Sequence, residues 1–277
     1  MQVRHVMEHF REIGTWVDWS DTNDVVMHGS EEDEVEGIGV GWIASERAVR
    51  EAADRGLSLF VSHEGLFYEP PQADASVEET FQARREMFDE LGMTVVRCHD
   101  TWDRMPEIGI PDAWATWLGF EVERAEGEGA GEDLAPHGYE LSSRMAYYRV
   151  CLTGGMALDR LARVVAQRCT ELGQSAALVV GDGSRFVHRM AIGTGAITRL
   201  TEMMALEPDC ILATDDGITW TRDVLYAQGM DVPLIVVTHP VSELPGMMRL
   251  ADYLAEQLPD VPVRYVPVEY PRTIIGR

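Results

Sequence analysis

The stretch from residue 57 to residue 103 decides the fold of this chain. It opens with the apolar run LSLFVS (57–62), continues through a loop and a helix-period segment from about Val77 to Leu91, and reaches a second apolar run, MTVVRC (93–98). A strand, a helix of about ten to fifteen residues and a second strand are typical of a βαβ unit, in which both strands run in the same direction. The stretch therefore predicts a parallel sheet with a helix packed on its face.

The same alternation continues on both sides of this stretch. One further apolar run precedes it, and several follow it, separated by helix-period segments. In chain order these runs are VEGIGVGW (35–42), AYYRVCL (146–152), AALVVG (176–181), VHRMAIG (187–193), DCILAT (209–214), PLIVVT (233–238) and VPVRYV (261–266). We therefore predict an α/β fold with two βαβ-type halves, each containing a mostly parallel sheet flanked by helices.

A polar segment separates the two halves. EVERAEGEGAGEDLAPHG (121–138) is rich in glycine and glutamate and poor in aliphatic residues, a composition typical of an exposed loop or linker. The pattern predicts an N-terminal half over residues 1–120, an acidic linker over 121–138 and a C-terminal half over 139–277.

The charge of the chain limits its partners. Its 277 residues include 47 acidic and 23 basic side chains, for a formal net charge of −24, and every basic residue is arginine. Because phosphate surfaces attract positive charge, we expect no nucleic-acid or membrane partner. The absence of lysine excludes Schiff-base and Walker-type mechanisms. Without a signal peptide or an apolar run that could span a membrane, the sequence predicts a soluble, cytoplasmic protein with reduced cysteines.

Imidazoles and carboxylates follow four of the apolar runs. They are His63 and Glu64 after LSLFVS, His99, Asp100 and Asp103 after MTVVRC, Asp215 and Asp216 after DCILAT, and His239 and Glu243 after PLIVVT. In parallel sheets, ligands bind beyond the carboxyl ends of the strands. Imidazole and carboxylate without cysteine suit zinc, iron or manganese. We therefore predict a metal site at the strand ends, between the halves.

Simpler interpretations of these patterns remain open. Loop ends are often polar without any function. Gly193-Thr194-Gly195 resembles a phosphate-binding turn, but a tight strand–helix turn accounts for it equally well. Trp114 and Trp117 are expected to be exposed aromatics, compatible with a subunit interface.

Three motifs carry a resemblance to a known family. SHEG (62–65), HDTWD (99–103) and THPVSE (238–243) match, in order and spacing, the Thr-His-His-Pro, His-Thr-Asn-Leu-Asp and Gly-His-Tyr-x-x-Glu segments of the proteins named for NGG-interacting factor three (Nif-three-like). The segments 18–38 and 187–196 are also similar to the Trp-Asp-Asn-x-Gly-Leu region and to the Gly-rich start of the second half in that family. The resemblance covers most of the chain except residues 121–138.

This resemblance implies a dinuclear metal centre in a homohexamer. The metal ligands that it implies are His63, Asp103, His239 and Glu243, with Glu64 in place of a second histidine. It places His99 near the site, where we assign it a catalytic role in proton transfer, and it makes Glu243 the natural bridging carboxylate. The expected cofactors are two divalent metal ions, zinc, manganese, iron or magnesium. The extra carboxylate of Glu64 favours the harder ions over zinc.

Two classes of function follow from the resemblance. The first is a metal-dependent hydrolase that acts on a small molecule or a nucleotide, because some family members are described as GTP cyclohydrolase I type 2. The second is a non-catalytic metal-binding scaffold, interaction or metal-handling protein. Trp220 stands where the family usually has a polar residue or histidine, so the substrate of this chain need not be the common one.

Overall fold

The computed structural model describes residues 1–67, 75–123 and 144–267, so most of the predicted linker lies outside the described residues. The helices are α1 (Val3–Ile13), α2 (Glu46–Asp54), α3 (Ala75–Glu90), α4 (Asp100–Asp103), α5 (Ile110–Leu118), α6 (Leu158–Thr170), α7 (Leu200–Met204), α8 (Asp223–Gly229) and α9 (His239–Gln257). The strands are β1 (Val26–His28), β2 (Ile38–Gly41), β3 (Leu59–Ser62), β4 (Thr94–Arg97), β5 (Glu121–Val122), β6 (Arg149–Ala157), β7 (Leu178–Val180), β8 (Phe186–Ile192), β9 (Cys210–Thr214), β10 (Leu234–Val237) and β11 (Val263–Tyr265).

The chain divides into two compact units, each with its own sheet. Unit 1 consists of Met1–Trp102 with Met247–Val268, and unit 2 is built on Asp103–Gly246. Residues Met247–Val268 belong to unit 1 because β11 pairs with β2 in its sheet. This division differs from the halves 1–120 and 139–277, since strand pairing across more than 200 residues leaves no local signal.

The sheet of unit 1 has the order β1-β4-β3-β2-β11. Strands β2, β3, β4 and β11 are parallel, and β1 is an antiparallel edge strand. Every residue of β2 and β3 is buried, as expected for apolar strands covered on both faces. The βαβ unit predicted from residues 57–103 is therefore confirmed.

Helix α2 shows how the sequence sets the helix packing in unit 1. The side chain of Ser45 accepts a hydrogen bond from the N–H of Ala48 and so caps the helix start. Ala48, Val49 and Ala52 are buried on one face and join the apolar core formed with Phe60. This helical spacing of small apolar residues fixes which face of α2 contacts the sheet.

The sheet of unit 2 is mixed, with the order β5-β6-β8-β9-β10-β7. Only the β8–β9 and β9–β10 pairs are parallel, whereas β5–β6, β6–β8 and β10–β7 are antiparallel. The prediction of a mostly parallel sheet is thus wrong for this unit. Apolar runs indicate strands but not their direction, and both ends of this sheet carry reversed strands. The broader prediction of two sheets flanked by helices is confirmed.

A buried ion pair lies inside unit 2. Arg149, fully buried, donates from Nε and Nη2 to the two carboxylate oxygens of Asp112 at 2.9 and 2.6 Å. Its Nη1 donates to the carbonyl oxygens of Ala146 and Tyr148. These four bonds satisfy a guanidinium that has no access to water, and they tie β6 to α5.

The tryptophans of α5 differ from the sequence expectation. Trp114 is fully buried, so the prediction that it is exposed is wrong. Trp117 is half-buried, and its indole N–H donates to the carbonyl oxygen of Arg168 at 3.0 Å. Both rings pack inside unit 2 because α5 is covered by neighbouring elements, a property that a helical pattern alone does not reveal.

No helix in the described part of the chain has both the length and the apolar character needed to cross a membrane.

All four cysteines lie in described residues, are buried and form no disulfide. Burial raises the pKa of the Cys151, Cys169 and Cys210 thiols to about 12. At pH 8 only about one thiol in ten thousand would then be the reactive thiolate. We expect Ellman's reagent to label these three positions only after unfolding in guanidinium, and rapid labelling of the native protein would contradict this burial.

Candidate metal centre

The first group of ligand-type side chains belongs to adjacent strands β3 and β4. His63 follows β3, and His99 follows β4, directly before α4. Since the two strands are parallel neighbours, their carboxyl ends lie side by side. The two imidazole rings stack with centroids 4.5 Å apart and planes inclined by 12°. The structure therefore brings together two residues that the sequence places 36 positions apart.

The backbone fixes the orientation of His63. Its Nδ1 lies 3.3 Å from the carbonyl oxygen of Cys98, and since a carbonyl only accepts, Nδ1 carries the proton. The lone pair of the neutral ring is then on Nε2, the atom that a metal ion would bind. The ring is fully buried. A buried ring whose orientation and tautomer are fixed by a backbone carbonyl is typical of histidines that bind metal ions.

Asp103 completes the first group from the end of α4. One ligand atom from each of His63, His99 and Asp103 lies within 4.8 Å of the others, so the three side chains could hold a metal ion. His99, predicted as a catalytic residue, is thus a candidate ligand as well.

A second carboxylate, Asp100, orients His99. Nδ1 of His99 donates to Oδ1 of Asp100 at 3.0 Å. Burial acts to raise the pKa of the Asp100 carboxyl, but hydrogen bonds from His99, Asn23 and Thr22 outweigh it and hold that pKa well below its usual range. Asp100 is therefore ionised, and it directs the Nε2 edge of His99 away from itself.

Asp24, which the sequence analysis missed, anchors the start of α4. Its carboxylate accepts hydrogen bonds from the backbone N–H groups of His99, Asp100 and Thr101 at 2.5, 2.8 and 2.8 Å. The side chain is only 2% exposed. A carboxylate at the first N–H groups of a helix stabilises it by hydrogen bonding and by its charge. Asp24 therefore positions the turn that carries His99 and Asp103.

Replacing Asp24 by alanine tests this anchor. We expect the free energy of unfolding to fall by about 1–2 kcal/mol, as for loss of a helix cap. Ion affinity should fall about tenfold, as for loss of a group that orients a ligand. Urea unfolding and calorimetric titration measure the two effects. Asp21→Ala, an exposed acidic neighbour, should change neither. Unchanged ion affinity in the Asp24 variant would mean that α4 is held by other contacts.

Glu64 lies beside an arginine in unit 1. Oε2 of Glu64 is 3.5 Å from Nη2 of Arg97, and both side chains are about one-tenth exposed. Arg97 also donates from Nε to the carbonyl oxygen of His63 at 2.9 Å. The carboxylate that replaces the expected second histidine thus has a positive neighbour built into β4.

The second group belongs to unit 2 and follows β9 and β10. His239 is the first residue of α9, and its Nε2 lies 2.9 Å from Oε2 of Glu243 one turn later. Its Nδ1 lies 2.7 Å from Oδ2 of Asp216, and its backbone N–H donates to Asp215. The acidic pair after β9 thus orients the imidazole, and the resulting carboxylate–histidine arrangement is typical of metal sites.

Gly195, after β8, leaves room at this histidine–carboxylate pair. A Cβ on Gly195 would lie 2.2 Å from Oε1 of Glu243 and 3.0 Å from Nε2 of His239. The residue has φ +56°, in the left-handed region that favours glycine. Its N–H donates to Oγ of Ser242, whose hydroxyl donates to the carbonyl oxygen of His239. The turn Gly193-Thr194-Gly195 therefore places its backbone, with no Cβ at Gly195, directly against the donor atoms of His239 and Glu243.

The donors suit a divalent cation. Two buried groups of His, Asp and Glu side chains among the described residues could hold metal ions, one with His63, His99 and Asp103 and one with His239 and Glu243. Neutral imidazole nitrogens and carboxylate oxygens are ligands for zinc, iron and manganese. The glycine beside His239 and the fixed tautomer of His63 fit the same chemistry. Fold and donors define an α/β protein of two sheets with candidate metal centres at strand ends.

Comparison with known proteins identifies the family. The model of the family described as Duf34/NIF3 (NGG1p interacting factor 3) matches residues 1–271. The chain therefore belongs to the Duf34/NIF3 family, as the three sequence motifs predicted. No curated protein matches this chain.

Solved structures share the fold at low sequence identity. The protein ybgI, titled as of unknown function, is 19% identical, with a TM-score of 0.76 over 98% of this chain and 100% of its own. A Bacillus cereus protein related to NIF3 is 12% identical, with a TM-score of 0.76 over 99% of both chains. The Staphylococcus aureus protein SA1388 is 14% identical, with a TM-score of 0.74 over 99% of both. These likenesses establish the fold.

Proposed function

We propose that this chain binds two divalent metal ions and acts as a metal-dependent hydrolase on a small molecule, nucleotides included. The observation that carries the proposal is His239, held between the Asp216 and Glu243 carboxylates, with Gly195 so close to Nε2 of His239 and Oε1 of Glu243 that a Cβ there would clash. A histidine needed only for packing would not require carboxylates on both ring nitrogens.

The donors divide between the two ions. His63, His99 and Asp103 would hold one ion, and His239 and Glu243 would hold the other. We further propose that both belong to one dinuclear centre, with Glu243 as the bridging carboxylate and Glu64 as an additional ligand.

The ions would supply positive charge that polarises a carbonyl or phosphoryl oxygen and lowers the pKa of water. They would also supply the local positive charge that a protein with a net charge of −24 needs to bind a nucleotide. The chain's own residues orient these donors. With an ion bound, Asp216 would hold the proton of His239 on Nδ1 and leave Nε2 as the donor atom. Asp100 does the same for His99, whose Nε2 would serve either as a ligand of the first ion or, if His63 and Asp103 hold that ion without it, as the group that accepts or releases a proton during hydrolysis.

A substrate screen tests the hydrolase. Full-length protein freed of metal with EDTA and then loaded with manganese or zinc is assayed on phosphomonoesters, phosphodiesters, nucleoside triphosphates and cyclic amides. We expect turnover of at least one class by the loaded protein, none after EDTA, and none with His239→Ala. Tight ion binding with no turnover would instead favour the non-catalytic scaffold or metal-handling protein.

The assembly and location are proposed with the function. We expect a homohexamer, as the sequence resemblance implies, in the cytoplasm. The acidic net charge argues against nucleic acid or membrane as a partner. Multi-angle light scattering at micromolar concentration should give about six times the chain mass of 30.9 kDa. A monomer in that measurement would contradict the hexamer and leave the metal proposal in place.

A further inference from the structure

Arg97 is held firmly beside the first group of ligands. Its Nη1 donates to Oδ1 of Asn23 at 2.8 Å, its Nε donates to the carbonyl oxygen of His63, and its Nη2 faces Glu64. Asn23 in turn donates from Nδ2 to Oδ1 of Asp100 at 3.2 Å. Asn23 is the single asparagine of the chain, and its amide supplies both the acceptor and the donor that this chain of contacts needs.

The three contacts of Arg97 differ in kind. The His63 carbonyl and the Asn23 amide are neutral acceptors at 2.9 and 2.8 Å, whereas the Glu64 carboxylate is charged and more distant, at 3.5 Å. If Glu64 turned toward another cation, the two shorter bonds would still hold the guanidinium. The two shorter bonds thus fix Arg97 independently of its longer contact with Glu64.

Glu64 has a single negative charge to share. The side chains of Glu64 and Arg97 are 11% and 12% exposed, so their attraction is screened less than that of a surface pair. A metal ion that took Glu64 as a ligand would have to draw the carboxylate from Arg97 and to bind near a fixed positive charge. Both effects weaken the binding of that ion.

We propose that Arg97 is a specificity-determining residue, which sets the affinity and preference of the ion at Glu64 by competing with that ion for the carboxylate. The inference rests on the proposed metal-binding function. Arg97 offsets the negative charge that Glu64 adds, so the two ions bind in order, and the ion at Glu64 binds more weakly. Removing the arginine charge makes the full charge of Glu64 available and favours hard, oxygen-preferring ions such as manganese over zinc.

Calorimetric titration of the EDTA-treated full chain with manganese chloride and with zinc chloride tests the competition. Arg97→Gln keeps an N–H donor but removes the charge, and it should tighten the weaker manganese site roughly tenfold, with a smaller gain for zinc. Arg97→Lys, a conservative change whose single ammonium cannot keep all three contacts, should tighten it about threefold. Arg55→Gln, which removes an exposed arginine charge from the end of α2, should leave it unchanged.

The decisive comparison is made without the Glu64 charge. In a Glu64→Gln background, Arg97→Gln should raise manganese affinity much less than in the parent, because the carboxylate under competition is gone and only the repulsion between the guanidinium and the ion is relieved. An equal gain in both backgrounds, or weaker binding by folded Arg97→Gln and Arg97→Lys, would overturn the proposal. If the parent binds ions but the effects of the Arg97 and Glu64 substitutions on manganese affinity simply add, this inference alone is overturned. Absence of ion binding in the parent overturns the proposed function and this inference together.

Discussion

Replacing His239 by alanine is expected to lower the affinity of unit 2 for its ion at least about 100-fold and to reduce the stoichiometry from two ions per chain to one. Removal of groups that merely orient a ligand costs about 10- to 100-fold, and His239 is itself the donor. Its loss also leaves Glu243 facing Asp216 across the vacated position without a base between them. Elemental analysis after dialysis gives the stoichiometry, and competition with a chelating dye gives the affinity.

His188→Ala is the matched control for this change. His188 lies on β8 in the same unit, with a side chain that is 69% exposed. Its removal should leave both the stoichiometry and the affinity at the parent values. If the His239 and His188 variants bound two ions with equal affinity, His239 would not be a ligand.

Replacing Asp112 by alanine is expected to destabilise the protein by about 3–5 kcal/mol, the cost of leaving a buried charge without its partner. Arg149 is fully buried and would lose both carboxylate contacts while keeping its bonds to Ala146 and Tyr148. Urea unfolding followed by circular dichroism measures the loss.

Two controls separate charge burial from packing. The double variant Asp112→Ala/Arg149→Met removes both charges and should recover a large part of the stability, because replacing a whole buried pair by apolar groups is often nearly neutral. Arg50→Ala, in the exposed Glu46–Arg50 pair of α2, should cost less than about 0.5 kcal/mol. A loss below about 1 kcal/mol for Asp112→Ala would mean that water reaches Arg149.

Local sequence located nine of the eleven strands in the described part of the chain, all except the short edge strands β1 and β5, together with the ligand-type residues at the strand ends. A run such as LSLFVS must be buried, and the polar residue that follows it must lie where the strand leaves the core. This reasoning located His63, His99 and His239 correctly at strand ends. It could not show the direction of the strands of unit 2, because an apolar run packs equally well in either direction.

The residues that orient the candidate ligands were harder to predict. Asp24 anchors the start of α4 from 75 positions away, and nothing near it in sequence distinguishes it from Asp18 or Asp21. Asp215 and Asp216 were noted as strand-end residues, but their hydrogen bonds to His239 depend on the adjacency of β9 and β10. Such partners are set by tertiary pairing, which a single sequence does not contain.

Arg97 illustrates the same limit. The sequence identified Glu64 as a departure from the family pattern and allowed either a metal or an arginine as its partner. The structure places an arginine beside Glu64, contributed by the adjacent strand β4, because register sets Arg97 opposite Ser62 at the end of β3. Metal binding by Glu64 stays a prediction.

The most direct test of the dinuclear centre is anomalous X-ray diffraction from crystals of the full chain grown with manganese or zinc. We expect two anomalous peaks per chain, one against His63, His99 and Asp103 and one against His239 and Glu243. One peak, no peak, or peaks away from these side chains at saturating metal would contradict the dinuclear centre on which the proposed function depends.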